Sequence, residues 1–223
     1  MPDVDFDFIT FDCYGTLIDW ESGIVSAFQS EAARDGVQLT RADIITAYHI
    51  AEPAVESGEF RSYREVLGET ALSVAARLGW YLEAGRAGFL AASLPHWQPF
   101  ADTNTALERL ARRFKLGILS NVDDDLIAET RRHFTVDFDL VITAQQLRSY
   151  KPSHAHFKTA LARLGGKRLL HAAQSYFHDV VPSSELGIPV VWVNRKNELA
   201  DGGGPWPTYE VGNLSELAGL LDA

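Results

Sequence analysis

FDCYGTLIDW, residues 11–20, carries a single carboxylate out of an apolar run and straight into a turn. Upstream, VDFDFITF (4–11) alternates in part and then becomes apolar, with Phe6, Phe8, Ile9 and Phe11. A central strand covered on both faces has this pattern. Gly15 permits a tight turn, and Thr16 offers a hydroxyl where a helix could begin. Asp12 is therefore expected at the carboxyl end of a parallel strand, the edge at which open α/β sheets hold their ligands. Read from this stretch alone, a turn or helix-capping Asp is an equally good account.

Outward from this stretch, four more short apolar runs follow: KLGILS (115–120), DLVIT (139–143), LLHAAQS (169–175) and PVVWVN (189–194). Helical patterns separate them. TNTALERLARRF (103–114) has Leu107, Leu110, Ala111 and Phe114 at helical spacing, with Asp102 and Thr103 as candidate caps. DDLIAETRRHF (124–134) reads similarly, as does SHAHFKTALARLG (153–165), with Ser153 as N-cap and Gly165 and Gly166 as a stop. Strands alternating with helices predict an α/β fold built on a doubly wound parallel sheet, a Rossmann-like core.

Residues 19–98 break the alternation. GIVSAFQSEAARDG (23–36), RADIITAYHIAEPAVES (41–57) and YREVLGETALSVAARLGW (63–80) are helical in pattern, with no strand run between them. An insertion this long after the first strand predicts a separate helical cap domain over 19–98, with the core formed by 1–18 and 99–223. Its aromatics, including Trp20, Phe28, Tyr48, Phe60, Tyr63, Trp80 and Phe89, are expected mostly in its own core.

Composition narrows the function. The 223 residues are 46% hydrophobic and carry a formal net charge of −10, which disfavours nucleic-acid and anionic-membrane partners. An anionic substrate would need a local positive site working against that field. The single cysteine rules out an internal disulfide framework and suits a reducing, cytoplasmic setting. No run is long enough to span a bilayer, and the acidic start MPDVDFDF does not read as a signal peptide.

The remaining strand ends carry polar groups. Ser120 and Asn121 close the second run, Lys151 follows the third in SYKPS, and Ser175 and Asp179 follow the fourth in SYFHDVVP. Parallel strands bring all of these to one edge beside Asp12. A nucleophile-capable carboxylate, hydroxyl and amide groups, an ammonium and a second carboxylate would then share one cleft. Singly, each has a structural reading: Ser120 and Asn121 as caps, Lys151 as a solvated loop charge, and Asp179 as the start of a helix.

DCYGTL (12–17), LSN (119–121), SYKP (149–152) and SYFHD (175–179) together resemble the haloacid dehalogenase superfamily over nearly the whole chain. The closest resemblance is to its (S)-2-haloacid dehalogenase branch, whose first motif also has an aromatic at position 14. Phosphatases of the superfamily have a second Asp there as general acid. Tyr14, with a reference pKa near 10, is a poor acid at neutral pH, and a halide leaving group needs no proton.

The resemblance implies nucleophilic catalysis by a hydrolase. Asp12 would attack carbon and form an aspartyl ester, and water oriented or activated by Asp179 would hydrolyse it. Lys151, Ser120 and Thr16 would hold the Asp12 carboxylate, and Ser175, in the fourth motif, is counted with them among the catalytic residues. The backbone around Cys13 and Tyr14, with Ser120 and Asn121, would bind the carboxylate of a small organic acid. Dehalogenases of this branch carry a Trp-Arg pair in the cap that meets the halide, and Tyr48-His49 is the nearest match here. Phe157 stands where the family has Tyr.

The wording is also similar to L-azetidine-2-carboxylate hydrolase, which opens a strained ring. No cofactor or metal is expected. Mg²⁺ on Asp12 and Asp179 belongs to the rival phosphatase reading, and a catalytically idle binding protein is the rival from outside the enzymes. A homodimer is left as an open expectation. Cys13 reads as a small buried hydrophobe. His154, His156 and His178 lack a second His or Cys pair at ligand spacing. DGGGPWP (201–207) reads as a loop before a final helix, NLSELAGLL (213–221).

Overall fold

A computed structural model describes residues 6–200 and 203–223. The chain divides into two compact units, one of Met1–Ile18, Pro99–Asn121 and Arg132–Ala223, the other of Asp19–Gln98 and Val122–Arg131. In chain order the main elements are β1 (Phe8–Phe11), α1 (Trp20–Ala33), α2 (Arg41–Glu56), α3 (Tyr63–Arg77), α4 (Phe89–Ser93) and α5 (Thr103–Leu110). They continue with β2 (Lys115–Ser120), α6 (Asp124–Thr130), β3 (Leu140–Thr143), α7 (Ala144–Leu147), α8 (Ala155–Leu164) and β4 (Leu169–Ala173). The last are α9 (Val181–Glu185), β5 (Val190–Val193), β6 (Tyr209–Val211) and α10 (Leu214–Leu220).

In the first unit the strands form one sheet of order β3-β2-β1-β4-β5-β6, and every pairing is parallel. β1, β4 and β5 are buried throughout, as strands covered on both faces must be. The chain winds outward from β1 to β3, then returns to the other side of β1 with β4. The order therefore reverses between β1 and β4, where ligands of doubly wound sheets bind. Phe11 lies opposite Ile118 on β2 and Ala172 on β4, so Asp12, Ser120 and the segment after Ala173 leave the sheet at one edge.

Five strands were expected and are present, and β6 is an addition. It has only three residues, too few to show a period in sequence, and is defined by its pairing with β5, Val193 opposite Val211. Part of the 201–207 loop, residues 201 and 202, lies outside the described residues. Beyond it, the Pro205 carbonyl accepts from the Tyr176 hydroxyl.

Several helix ends differ from expectation. Helix α1 begins at Trp20, capped by Asp19, so Thr16 belongs wholly to the preceding turn. Asp102 sits at the N-cap of α5, but its carboxylate accepts from Arg195 and the Leu214 amide instead of capping. The Thr103 hydroxyl donates to the Leu17 carbonyl. Helix α8 starts at Ala155, two residues beyond Ser153, with His154 at its N-cap. Gly165 and Gly166 do stop it, at φ 60° and 87°, a region that favours glycine.

The second unit is built from α1, α2, α3, α4 and α6. Ile24, Phe28, Ile44, Leu67, Val74 and Leu90 are fully buried, each contributing about 1.5–3 kcal/mol. Phe28 packs edge-on against Phe89 with ring centroids 5.1 Å apart. Gly23 lies beneath the Trp97 indole, where a Cβ would come within 2.3 Å of the ring. The capping box of Ser62 and Glu65 starts α3, and the Asp123 carboxylate accepts from the Tyr63 and Arg64 amides at the same helix end.

Candidate active site

Asp12 leaves β1 while its amide still donates to Ala172 of β4, 3.1 Å away, so it starts from a fixed point. The turn that follows needs Gly15, whose φ is 101°, and closes with Gly15 N donating to the Ile18 carbonyl at 2.8 Å. This turn carries Thr16 back over the strand end, where its hydroxyl donates to Asp12 Oδ2 at 2.9 Å. The Thr16 hydroxyl oxygen in turn accepts from the Gln174 amide, 2.9 Å away, just beyond β4. Arg195 secures the turn from the end of β5. Its Nε and Nη2 donate to the Thr16 carbonyl, while the guanidinium also pairs with Asp102 and lies 3.9 Å from the Phe100 ring centroid.

Lys151 is 2% exposed and sends its ammonium to Asp12 Oδ1 (2.8 Å), Asp179 Oδ1 (2.7 Å) and the Leu119 carbonyl (3.0 Å). All three protons of the ammonium are thus engaged. Its main chain is held by Asn121, whose Oδ1 accepts from Lys151 N at 2.7 Å and whose Nδ2 donates to Lys151 O at 3.0 Å. Asp179 lies in the turn Tyr176–Val180 that follows β4 and is fully buried. His171 Nε2 approaches the same Asp179 Oδ1 at 2.9 Å, whereas Oδ2 is buried with no protein partner.

Two carboxylates share one ammonium. Burial opposes the charge on Lys151, but Asp12 and Asp179 outweigh it and hold the ammonium above its ordinary range. Burial likewise raises Asp179, yet Lys151 and then His171 keep it below the usual carboxylate range. Asp12 moves the other way. Burial raises it above 3.8, the neighbouring Asp179 charge adds to this, and Lys151 and Thr16 offset only part.

The expected residues do not all meet. Asp12, Thr16, Lys151 and Asp179 form one hydrogen-bonded cluster, with Asn121 attached through the backbone of Lys151. Asn121 was expected to bind substrate, and instead both of its amide atoms hold Lys151. Ser120, at the end of β2, was expected to hold the Asp12 carboxylate; it is buried with its hydroxyl unpartnered by protein, so it makes no bond to Asp12 and retains a donor. Cys13 is fully buried, and burial with the adjacent Asp12 pushes its thiol well up, which disqualifies it as a thiolate nucleophile. Tyr14 is half-buried.

Ser175 caps the 176–180 turn, its Oγ meeting His178 Nδ1 at 3.0 Å and accepting from His178 N. It thereby shapes the turn that carries Asp179. Tyr48 and His49 belong to α2 of the other unit. The Tyr48 hydroxyl donates to Glu52, while His49 is exposed with its ring 5.6 Å from Trp20.

Sequence reasoning did not pick out His171 or Arg195. For His171 a signal existed: one titratable side chain in the apolar run LLHAA, where burial demands a partner. Arg195 follows β5 with nothing local to distinguish it from a solvated arginine.

Among the described residues, no group of three or more His, Cys, Asp or Glu side chains could hold a metal ion. His154 pairs with Glu185, and His156, pushed down to about 3 by burial and then by Lys151, meets the Ser120 carbonyl. Between Asp12 and Asp179 the shared cation is the Lys151 ammonium, and the Ser175 hydroxyl is engaged by His178.

A family model described as haloacid dehalogenase-like hydrolase matches residues 6–173. An (S)-2-haloacid dehalogenase of Pseudomonas putida is 28% identical over 217 residues, covering 96% of this chain and 95% of its own. The L-2-haloacid dehalogenase of Xanthobacter autotrophicus with chloropropionic acid covalently bound superposes at TM-score 0.81, with 20% identity and coverage of 98% and 99%. A HAD-hydrolase of Bacillus subtilis bound to magnesium superposes at TM-score 0.84, with 17% identity and coverage of 99% and 100%. At these identities the superpositions establish the fold, and the choice between the two chemistries rests on the residues of this chain.

Proposed function

Because the chain belongs to the haloacid dehalogenase-like hydrolase family, we propose that it cleaves the carbon–halogen bond of a small 2-haloacid through an ester on Asp12. The observation that carries this reading is the buried Asp12 carboxylate, 7% exposed, fixed by Lys151 and Thr16 beside a second carboxylate on the same ammonium. The (S)-2-haloacid dehalogenase relative supports the substrate class. The unit containing residues 19–98 is proposed to act as the cap.

In the first step an Asp12 oxygen bonds to C2 of the acid, and the halide leaves with the electron pair of the C–X bond. The Asp12 charge is consumed as the ester forms. The buried cluster then holds one ammonium and one carboxylate instead of two, a better-balanced state, so the protein's own electrostatics favour ester formation. In the second step a water oxygen bonds to the Asp12 carbonyl carbon. Asp179 takes one water proton and passes it to the departing oxygen, giving the hydroxy acid. The other proton is released as Asp12 ionises again. Lys151, and Ser120 with its spare hydroxyl, would stabilise negative charge developing on the ester carbonyl.

The strained C–N bond of L-azetidine-2-carboxylate is the second reading. It is favoured by Tyr48-His49 standing where a halide-binding Trp-Arg pair would be expected. A panel of 2-chloropropionate, fluoroacetate, L-azetidine-2-carboxylate and p-nitrophenyl phosphate separates these readings from the phosphatase. Turnover of the best substrate is expected to survive EDTA in full, because Lys151 already supplies the cation between the carboxylates. Activity on p-nitrophenyl phosphate that EDTA abolishes and Mg²⁺ restores would replace this reading with the phosphatase.

A further inference from the structure

Asp179 is held from below by a second buried pair. His171, in the middle of β4, is fully buried, with Nε2 2.9 Å from Asp179 Oδ1 and Nδ1 2.9 Å from the hydroxyl of Thr10 on β1. Thr10 is equally buried, and the two residues face each other in the β1–β4 register. The chain Thr10–His171–Asp179–Lys151–Asp12 is thus continuous and crosses the switch point of the sheet. With the Thr10 hydroxyl donating to Nδ1, the Nε2–H of the ring is directed at Asp179. Phe157 lies edge-on to the ring, centroids 5.2 Å apart, and limits its rotation.

We propose that His171, fixed in tautomer by Thr10, is the positioning residue for Asp179 and governs hydrolysis of the Asp12 ester but not its formation. The inference rests on the mechanism above and extends it to two residues outside the expected site. Its physical content is an asymmetry between the two oxygens of Asp179. Lys151 and His171 both bind Oδ1, which stops the carboxylate from rotating and leaves the buried Oδ2 without a protein partner. Oδ2 is then the oxygen left for the water that attacks the ester. With His171 removed, Lys151 alone holds the carboxylate, and either oxygen can turn toward the ammonium. Asp12 keeps its own bonds to Lys151 and Thr16, so the first step is untouched.

The two steps respond differently, and that makes the proposal testable. With 2-chloropropionate, kcat/KM reports the irreversible loss of chloride, whereas kcat includes ester hydrolysis. His171→Leu should lower kcat about 10- to 100-fold, part of the roughly 10²–10⁴-fold that a positioned base supplies. It should leave kcat/KM little changed and give a stoichiometric burst of chloride. Rapid quenching and mass spectrometry should find the ester on the peptide containing Asp12. His171→Gln, whose amide places an N–H near the position of Nε2, should restore most of kcat. If His171→Leu does not fold, Thr10→Val should show the same burst with a smaller loss of kcat.

Equal falls in kcat and kcat/KM with no trapped ester, or an unchanged kcat, would overturn the assignment. Asp179→Asn is the reference. Trapped ester in that variant but not in His171→Leu would remove His171 from the mechanism alone. Its absence from both would bring down the two-step reading on which the inference rests.

Discussion

Asp12→Asn should abolish turnover and yet give a protein that melts above the wild type at neutral pH. The loss should be on the order of 10⁵-fold or more, the scale seen when a catalytic nucleophile is removed, because a neutral amide is a far weaker nucleophile. The stability gain follows from the shifted titration of Asp12. Its carboxyl lies above 3.8 in the fold because burial and the neighbouring Asp179 disfavour the anion more than Lys151 favours it. An acid raised on folding stabilises the native state while protonated, and that contribution is lost as pH climbs from 3.8 through the raised value. At neutral pH the ionised Asp12 is therefore a net burden, and Asn, with no charge to bury, lifts it. Lys151 keeps Asp179 as its counter-ion in the variant. Thermal melts at pH 7 and below pH 3.8 check this: the advantage of Asn should be present at the first and shrink at the second. A variant that melts lower than wild type at both would contradict the electrostatic account.

Lys151→Met should produce the opposite stability change and also destroy activity. Removing the ammonium leaves two carboxylates facing each other in a dry site, and breaking a buried pair in this way costs about 3–5 kcal/mol. At roughly 2–4 °C per kcal/mol for a chain of this size, Tm should fall by about 10 °C. Circular dichroism at 25 °C should still show the folded spectrum. Turnover should fall by about 10²–10³-fold from the lost charge stabilisation alone. A further loss follows because Asp12, without the cation, holds its proton to still higher pH. Any residual rate should thus rise with pH over a higher window than in the wild type. An active, normally melting Lys151→Met protein would return this lysine to a solvated-loop role.

How much of this was legible in the sequence follows from the range of each interaction. The parallel sheet could be read because burial on both faces imposes apolar runs such as FITF and VVWV, whatever their partners. Asp12, Lys151 and Asp179 could be placed at one edge because parallel strands all end on the same side. Three-residue β6 could not, since only its pairing with β5 makes it a strand. The helix caps went astray for a related reason: Asp102 and Thr103 are good capping residues locally, but Arg195 and Leu17, 93 and 86 positions away, claim their side chains. Asn121 and Lys151 are 30 residues apart and His171 and Thr10 are 161 apart, so no local pattern could join them. The groups at the strand ends were readable, but the supports that Asn121, His171 and Arg195 give them were not.

The central claim is that Asp12 attacks carbon. A single turnover in H₂¹⁸O with enzyme in excess over 2-chloropropionate tests it without altering the protein. If Asp12 is the nucleophile, the new hydroxyl oxygen comes from its side chain and solvent oxygen refills the carboxylate. The hydroxy acid should then be almost unlabelled, and ¹⁸O should appear in the peptide containing Asp12. Full label in the product of the first turnover, with none in that peptide, would mean that water attacks the substrate directly, and the ester mechanism would be contradicted.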